Sequence, residues 1–520
     1  MGVRKVVTAF IISVVAVVSL LPGFARADDA QALLAKHRAF VGWQYGDGSV
    51  SSLILERTYT DASGKITQYA TERRLGLAYR RDYRSTKAFT ADGSVGFTGN
   101  IFWATSTNGF TVPVIGDTAK FDLSVDTLFM EGTSELPAVL RPSATIDGRS
   151  VDVLRITMNG ALPFDVYEDP ETGAFVQAVI DPDGDQETTF KIASYTDIGP
   201  AKKLIGSWSI GDDKGRYTYT QTTLNPAFDA ATLHPPSPSA TWTFADSQPF
   251  PIRVTPQRIY FDAKVNGVPG RFVLDTGASG ILLFDEYANK ANVKTEESSH
   301  AHGLGGTTKA YIRKADTIEI GGNTLHNVIV TTIGDGYRFK DELNFEQPDG
   351  FIGFDVFGGA IVNLSLSGGT MSISDPAAGP AGAPPGGYPV TVDLSTLQPR
   401  IPVKLEDKLQ IMALLDTGAP SLVLMSDQVE HHGINLVANR HGWLGGNSAI
   451  GGIGDSYVVT VCGPMARIDV GPFVYTATEA CETPGWGLHD GLIGYDFLKH
   501  FDYVFDYPHG MMYMTPHKDQ

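Results

Sequence analysis

The chain has 520 residues, 42% of them hydrophobic and 19% charged, with a formal net charge of −18 at pH 7. That length accommodates about three domains, and the composition is that of a folded globular protein rather than a disordered or fibrous one. The acidity argues against nucleic acid or an anionic membrane surface as partner.

Residues 1–27 read as a secretory signal. Arg4 and Lys5 give the positive start, Val6 to Leu21 the apolar core, and Ala25-Arg26-Ala27 a small-residue cleavage site before Asp28. The apolar run is short for a membrane anchor, and no later segment is apolar enough to cross a bilayer. The chain is therefore expected to be exported, periplasmic or secreted, with no stable span after the signal is removed.

Residues 28–235 form the first expected domain. Gln31 to Trp43 places Leu33, Leu34, His37, Phe40 and Val41 on one helical face. Short alternating strands follow at 53–57, 76–80, 153–157 and 175–180, with turn signals at Ala62-Ser63-Gly64, Ala91-Asp92-Gly93 and Asp183-Gly184. This predicts a large antiparallel sheet with one or two helices. Phe164 to Gly173 reads as a strand, a turn and the start of the next strand, with Asp165, Glu168 and Asp169 on a solvated turn. The strand pattern, which carries no chemical motif, resembles the curved-sheet domain of bacterial lipoprotein carriers; the resemblance implies an apolar concave face.

His234-Pro235-Pro236-Ser237-Pro238-Ser239 reads as a linker. Beyond it the chain repeats itself. Residues 251–375 and 388–516 are the two copies, joined by a Pro/Ala/Gly linker at 376–387. Each copy has an apolar run ending in Asp-Thr-Gly-Ala, at Asp275-Thr276-Gly277-Ala278 and Asp416-Thr417-Gly418-Ala419. Each then has an Asp-Gly-apolar-Ile-Gly phrase, Asp349 to Gly353 and Asp490 to Gly494, and the first aspartates of the two phrases lie 74 residues apart in both copies. Matched partners at equal distance mean an internal duplication that brings two aspartates into one molecule.

The chemistry follows from that pairing. Val273-Leu274 and Leu414-Leu415 read as buried strands that end where the aspartate emerges. The threonines can hydrogen-bond backbone in a tight turn, and the glycines let the chain approach closely. Two carboxylates brought to about 3 Å cannot both ionise, so one keeps its proton near neutrality. The ionised member can then take a proton from water while the protonated one polarises a carbonyl. This chemistry needs neither a metal nor an organic cofactor.

On these motifs, residues 251–516 are similar to aspartic peptidases of the retropepsin-like and pepsin-like superfamily, with both lobes in one chain. The resemblance implies a mainly β, bilobed fold with Asp275 and Asp416 as catalytic pair. It implies that Thr276, Gly277, Thr417 and Gly418 support the catalytic turns, and that Ile352-Gly353 and Ile493-Gly494 pack beneath them. Gly303-Leu304-Gly305-Gly306 and Gly451-Gly452-Ile453-Gly454 correspond in position to substrate-binding flaps. Alanine follows Asp-Thr-Gly in both lobes, as in retropepsins, where pepsins carry serine or threonine. Each lobe is shorter than a pepsin lobe, and Tyr311 and Tyr457 are only nearby candidates for a flap tyrosine.

The expected function is an aspartic endopeptidase acting on peptide or protein substrates, as a monomer because the second aspartate is supplied in cis. One alternative is a non-catalytic envelope protein that keeps the fold and binds a peptide or lipoprotein. Another makes the first domain a pro-segment over the cleft. Cys462 and Cys481 are expected to form one disulfide in an oxidising compartment, with two separate buried thiols as the alternative. Ser279 falls short of a serine-hydrolase elbow. The segment 303–306 lacks the Lys-Ser/Thr partner of a phosphate loop. His431-His432 and His441 have no carboxylate or cysteine to complete a metal set and read as a surface loop.

Overall fold

The computed structural model describes residues 22–517 except 87–91, 132–134, 185, 246–247, 257, 304–305, 335–345, 427–428, 430–431, 435, 437–446, 451–457 and 484–490. Among the described residues the strands form sheets of 13, 9, 6 and 7 strands. The 13-stranded sheet is the N-terminal domain. It runs from Thr111–Val114 at one edge to Ala138–Ile146 at the other. Its centre is closed by the first and last strands of the domain, Ser52–Thr60 and Arg216–Leu224, paired antiparallel with Leu53 opposite Leu224. Every neighbouring pair in it is a hairpin or meander step except that central closure, which follows from short alternating strands with tight turns between them.

The first helix, Pro22–Val41, begins well before Gln31, inside the stretch read as a signal. Pro22 suits a first helical turn, and no residue from Phe24 to Val41 is a glycine or proline that would interrupt it. It lays Ala30, Leu34, His37 and Val41 against the sheet, matching the expected face. Two local expectations are overturned. Gly76-Leu77 is a turn, not the start of a strand: Leu75 pairs with Ala78 and Gly76 has φ 57°. Glu168 does not sit on a solvated turn. It follows Phe164 and Val166 on the inward face of one strand, and all three are fully buried, because alternate residues of a strand share a face. Neither Glu168 carboxyl oxygen has a hydrogen-bond partner among the described residues, and burial pushes its pKa to about 8. Asp165 is also buried and pairs with Arg155, leaving Asp169 as the turn residue that caps Glu171 and Thr172.

The expected linker at 234–239 is fastened down. The carbonyl of Asn108 accepts from the amides of Ser239 and Ala240 at 3.1 and 3.2 Å. Thr241–Thr243 then adds a strand to Asn323–Ile333 in the next sheet. From here two lobes follow, one on the 9-stranded sheet and one on the 7-stranded sheet. The 6-stranded sheet is shared. Ile361–Ser365 of the first lobe pairs antiparallel with Phe501–Asp506 of the second, with Phe250–Pro251, Thr370–Ser374, Tyr388–Thr391 and Met511–Pro516 flanking them. One continuous core joins the two lobes, from Ile259 and Leu274 through Phe357 and Phe505 to Leu415 and Ile493.

The N-terminal domain plugs into this core. Phe110 and Val112 belong to it, and a Cβ on Gly359 would lie 2.6 Å from the Phe110 ring. Beside them Asn108 exchanges hydrogen bonds with the backbone of Ile329 at 2.9 and 2.8 Å, and the Ser106 hydroxyl donates to Asp355 at 2.8 Å. Phe110→Ala is expected to destabilise the whole chain by about 3–5 kcal/mol through the cavity it leaves. Urea unfolding checks this: a loss of under about 1 kcal/mol would mean that the domain merely leans on the lobes.

Candidate active site

Each lobe delivers its aspartate in the same way. In the first, Val268–Leu274 runs antiparallel to Ile259–Val265 and ends in three buried residues, Phe272, Val273 and Leu274. The short strand Gly350–Ile352 inserts beside it in parallel and pairs on its other side with Ile281–Phe284. In the second, Leu409–Leu415, Gly491–Ile493 and Leu422–Met425 repeat that order. The inserted strand anchors the turn: Ile352 O accepts from the Asp275 amide and Ile493 O from the Asp416 amide, both at 3.0 Å. Asp349 braces the insertion, its carboxylate accepting from the Arg271 amide at 2.8 Å; Asp490 lies outside the described residues.

The glycines are required by contact. A Cβ on Gly353 would fall 2.3 Å from Ala278 O, and one on Gly494 2.5 Å from Ser421 O. Gly277 and Gly418 face the opposite lobe. A Cβ on Gly277 would lie 2.5 Å from Asp416 Cγ, and one on Gly418 2.7 Å from Asp275 Oδ1. No other residue type fits there without displacing a carboxylate.

The two turns are locked together by threonine. The Thr276 hydroxyl donates to Leu415 O at 2.6 Å and accepts from the Thr417 amide at 3.0 Å. The Thr417 hydroxyl donates to Leu274 O at 2.8 Å and accepts from the Thr276 amide at 3.0 Å. Both threonines are 1% exposed, so four backbone groups that water cannot reach are satisfied across the lobe boundary.

Asp275 and Asp416 meet in this grip, joined by a hydrogen bond between their carboxyls. Burial, then the negative charge of Asp416, then the shared hydrogen bond hold the Asp275 carboxyl well above the ordinary carboxylate range. Burial also raises Asp416, but the Gly418 amide, the hydrogen bond from Asp275, Arg258 and the Ala419 amide oppose it. Gly418 N and Ala419 N donate to its Oδ1 at 2.7 and 3.1 Å. A raised carboxyl pKa means that the proton stays bound at pH values where an isolated aspartate has lost it. The last proton is therefore held by the pair to higher pH than by an isolated aspartate, and the amides at Asp416 Oδ1 favour the charge on that side.

Two residues beside the pair escaped the sequence reading. Arg258 is 5% exposed and lowers both carboxyl pKa values by its charge. It stands two residues before Tyr260, which pairs with Val273, and so lies level with Asp275. In the second lobe the level position is Gln398, two residues before Arg400, which pairs with Leu414. The Gln398 amide donates to the Gly277 carbonyl. Counting back from the Asn266-Gly267 hairpin turn would have found Arg258.

Of the flap residues, Gly303 and Gly306 pair at the end of the long hairpin Lys294–Gly303 and Gly306–Ile320, with Gly306 at φ 103°. Leu304 and Gly305 lie outside the described residues. In the second lobe Asn447–Ile450 pairs with Val458–Val470, and Gly451, Gly452, Ile453 and Gly454 between them lie outside the described residues, as do Tyr457, His431 and His441. Tyr311 lies in the first hairpin, with Lys309 over its ring at 5.0 Å. Cys462 and Cys481 face each other across adjacent strands and form a disulfide.

Residues 261–356 and 401–497 each match the model of the aspartyl protease family. The two lobes are aspartyl-protease-like. Each lobe carries the fold that places Asp-Thr-Gly between an apolar strand and an inserted parallel one, and the large curved antiparallel sheet precedes them. Among solved structures, the chain is similar to a DUF1329 family protein from Desulfovibrio piger ATCC 29098, at 11% identity and a TM-score of 0.31, covering 40% of this chain and 97% of that one. It is similar also to a domain from Vibrio parahaemolyticus described as an outer membrane lipoprotein-sorting protein, at 9% identity and a TM-score of 0.30, again over 40% and 97%. No curated protein is significantly similar to the chain. Among the described residues no helix is long and apolar enough to cross a membrane.

Thr276→Val would strip partners from Leu415 O and the Thr417 amide. It is expected to cost about 1–3 kcal/mol for each group left unsatisfied, read as a lower denaturation midpoint. A change of under about 0.5 kcal/mol, the size of a surface substitution, would contradict the interlock.

Proposed function

We propose that residues 251–516 act as an aspartic endopeptidase. The observation that carries this reading is the hydrogen-bonded Asp275–Asp416 pair gripped between the two interlocked turns. A water bound between the carboxyls gives a proton to ionised Asp416 as its oxygen attacks the scissile carbonyl carbon. Protonated Asp275 donates to the carbonyl oxygen as that oxygen gains charge. The resulting gem-diol collapses when Asp416 passes its proton to the leaving nitrogen, the carbon–nitrogen bond breaks, and one hydroxyl returns a proton to Asp275, which restores the pair. The two turn amides at Asp416 Oδ1 and the nearby Arg258 charge favour its ionised form, so base and acid are set apart by their surroundings rather than by residue type.

On this reading the hairpin Lys294–Gly303 and Gly306–Ile320 covers a bound peptide, and the hairpin Asn447–Ile450 and Val458–Val470 is its counterpart in the second lobe. The active unit is proposed to be a monomer, since both aspartates come from one chain. Export through the segment 1–27 is part of the same proposal and is compatible with the Cys462–Cys481 disulfide.

Asp275→Asn and Asp416→Asn are each expected to lower cleavage of a quenched-peptide library by about 10²–10⁴-fold or more, with an unchanged circular dichroism spectrum. Full activity in either variant would remove the dyad. If the unaltered protein turns over no peptide from about pH 3 to 8 yet binds peptides tightly, the lobes are a binding module instead.

A further inference from the structure

Between the N-terminal sheet and the second lobe lies a cavity of about 470 Å³, within the size range of small-molecule sites. Its walls combine Arg57, Arg81 and Arg400 with the rings of Tyr83, Phe102 and Trp103. The first two arginines come from strands of the sheet, and Arg400 with Ser395 and Thr396 comes from the lobe.

Each buried polar atom of the lining left without a partner among the described residues can donate. Trp103 is 3% exposed, and its ring N–H has no partner among the described residues. The Nε–H of Arg400 and the hydroxyl of Thr396 are likewise unpartnered there. Tryptophan and arginine can only donate, so these groups call for an acceptor. Charge points the same way. Arg74 takes Glu72 and Asp126, Arg81 shares Glu72 at 2.6 Å, and Arg400 pairs with Asp393 at 2.5 Å. Arg57 faces aromatic rings, with its guanidinium carbon 4.9 Å from the Tyr217 centroid and 5.7 Å from that of Trp208. No carboxylate of the described residues lies within ion-pair distance of it. Burial and then Arg81 push its pKa down from the ordinary value, as expected for a cation facing another without an anion between them. Asp122 is the acid in the lining; burial raises its pKa to about 6.

We propose that this cavity binds an organic anion: a carboxylate or phosphate head held by Arg57, Arg81 and Arg400, with an apolar body against the aromatic wall. The head meets three guanidinium groups and the orphaned donors, which suit oxyanion geometry. The body lies along Phe102 and Tyr83. The wall that supplies Ser395, Thr396 and Arg400 also carries Gln398, whose amide reaches the Gly277 carbonyl in the catalytic turn. The site is thus adjacent in sequence to the proposed active centre yet distinct from it.

Calorimetry on the full chain, with decanoate, decyl phosphate, decanol and inorganic phosphate as probes, tests this. One or both decyl acids are expected to bind at least about tenfold more tightly than decanol; which of them binds assigns the head group, and inorganic phosphate alone should bind more weakly than decyl phosphate. Arg57→Gln should weaken the acid about tenfold, and Arg57→Lys, which keeps the charge, should restore part of it even if the glutamine variant folds poorly. Decanol binding as tightly as the acids, inorganic phosphate as tightly as decyl phosphate, no acid binding at about 1 mM, or undiminished affinity in folded Arg57→Gln would each overturn the proposal. Peptide turnover without added anion should be unchanged in Arg57→Gln, which separates failure here from failure of the proteolytic reading.

Discussion

Two threonine hydroxyls set the terms for the rest of the molecule. Each donates to a carbonyl of the other lobe and accepts an amide from it. The aspartates before them are thereby forced together, so that the cost of their proximity is borne by structure that cannot relax. Without that lock, two carboxylates would separate and ionise independently. With it, one proton is trapped between them, and the asymmetry of their surroundings decides which holds it. Gly277 and Gly418, each pressed against the opposite carboxylate, belong to the same constraint.

The remaining architecture stiffens this point. An inserted parallel strand under each turn ties the aspartate amide to its lobe, and the 6-stranded sheet runs through both lobes so that neither can rotate away freely. The N-terminal domain adds a third brace through Phe110, Asn108 and Ser106. Ser106 meets Asp355, whose carboxyl burial raises to about 6. That raised value means the folded state binds a proton which the unfolded chain has already lost, so the burial of Asp355, which the hydrogen bonds from Ser106 and Asn108 only partly offset, costs stability as pH rises from the ordinary 3.8 past about 6.

Much of the site was legible in the sequence because duplication writes the same geometry twice. Asp275 and Asp416, their threonines and glycines, and the Ile-Gly steps at 352–353 and 493–494 all announce themselves by residue type at equal spacing. What stayed hidden depends on contacts between distant segments. Arg258 and Gln398 carry no mark in their own neighbourhood; Arg258 is reached by counting back from the Asn266-Gly267 turn, and Gln398 only once the register of its strand is known. Glu168 read as a turn residue because charge was weighed above its place in the alternation with Phe164 and Val166. The segment around His234-Pro235 looked like a tether; its composition is that of one, but Asn108, more than a hundred residues earlier, holds its end. The shared sheet was also unreadable, because its strands come from both ends of two repeats.

On this reading Asp275 and Asp416 share a single proton. Carboxyl ¹³C NMR on aspartate-labelled protein, titrated from acid to neutral pH with Asp275→Asn and Asp416→Asn spectra for assignment, measures it directly. Two signals that shift together are expected, with the last proton leaving the pair well above the ordinary value of 3.8. Two independent titrations, both near 3.8, would show carboxylates that never share a proton and would contradict it.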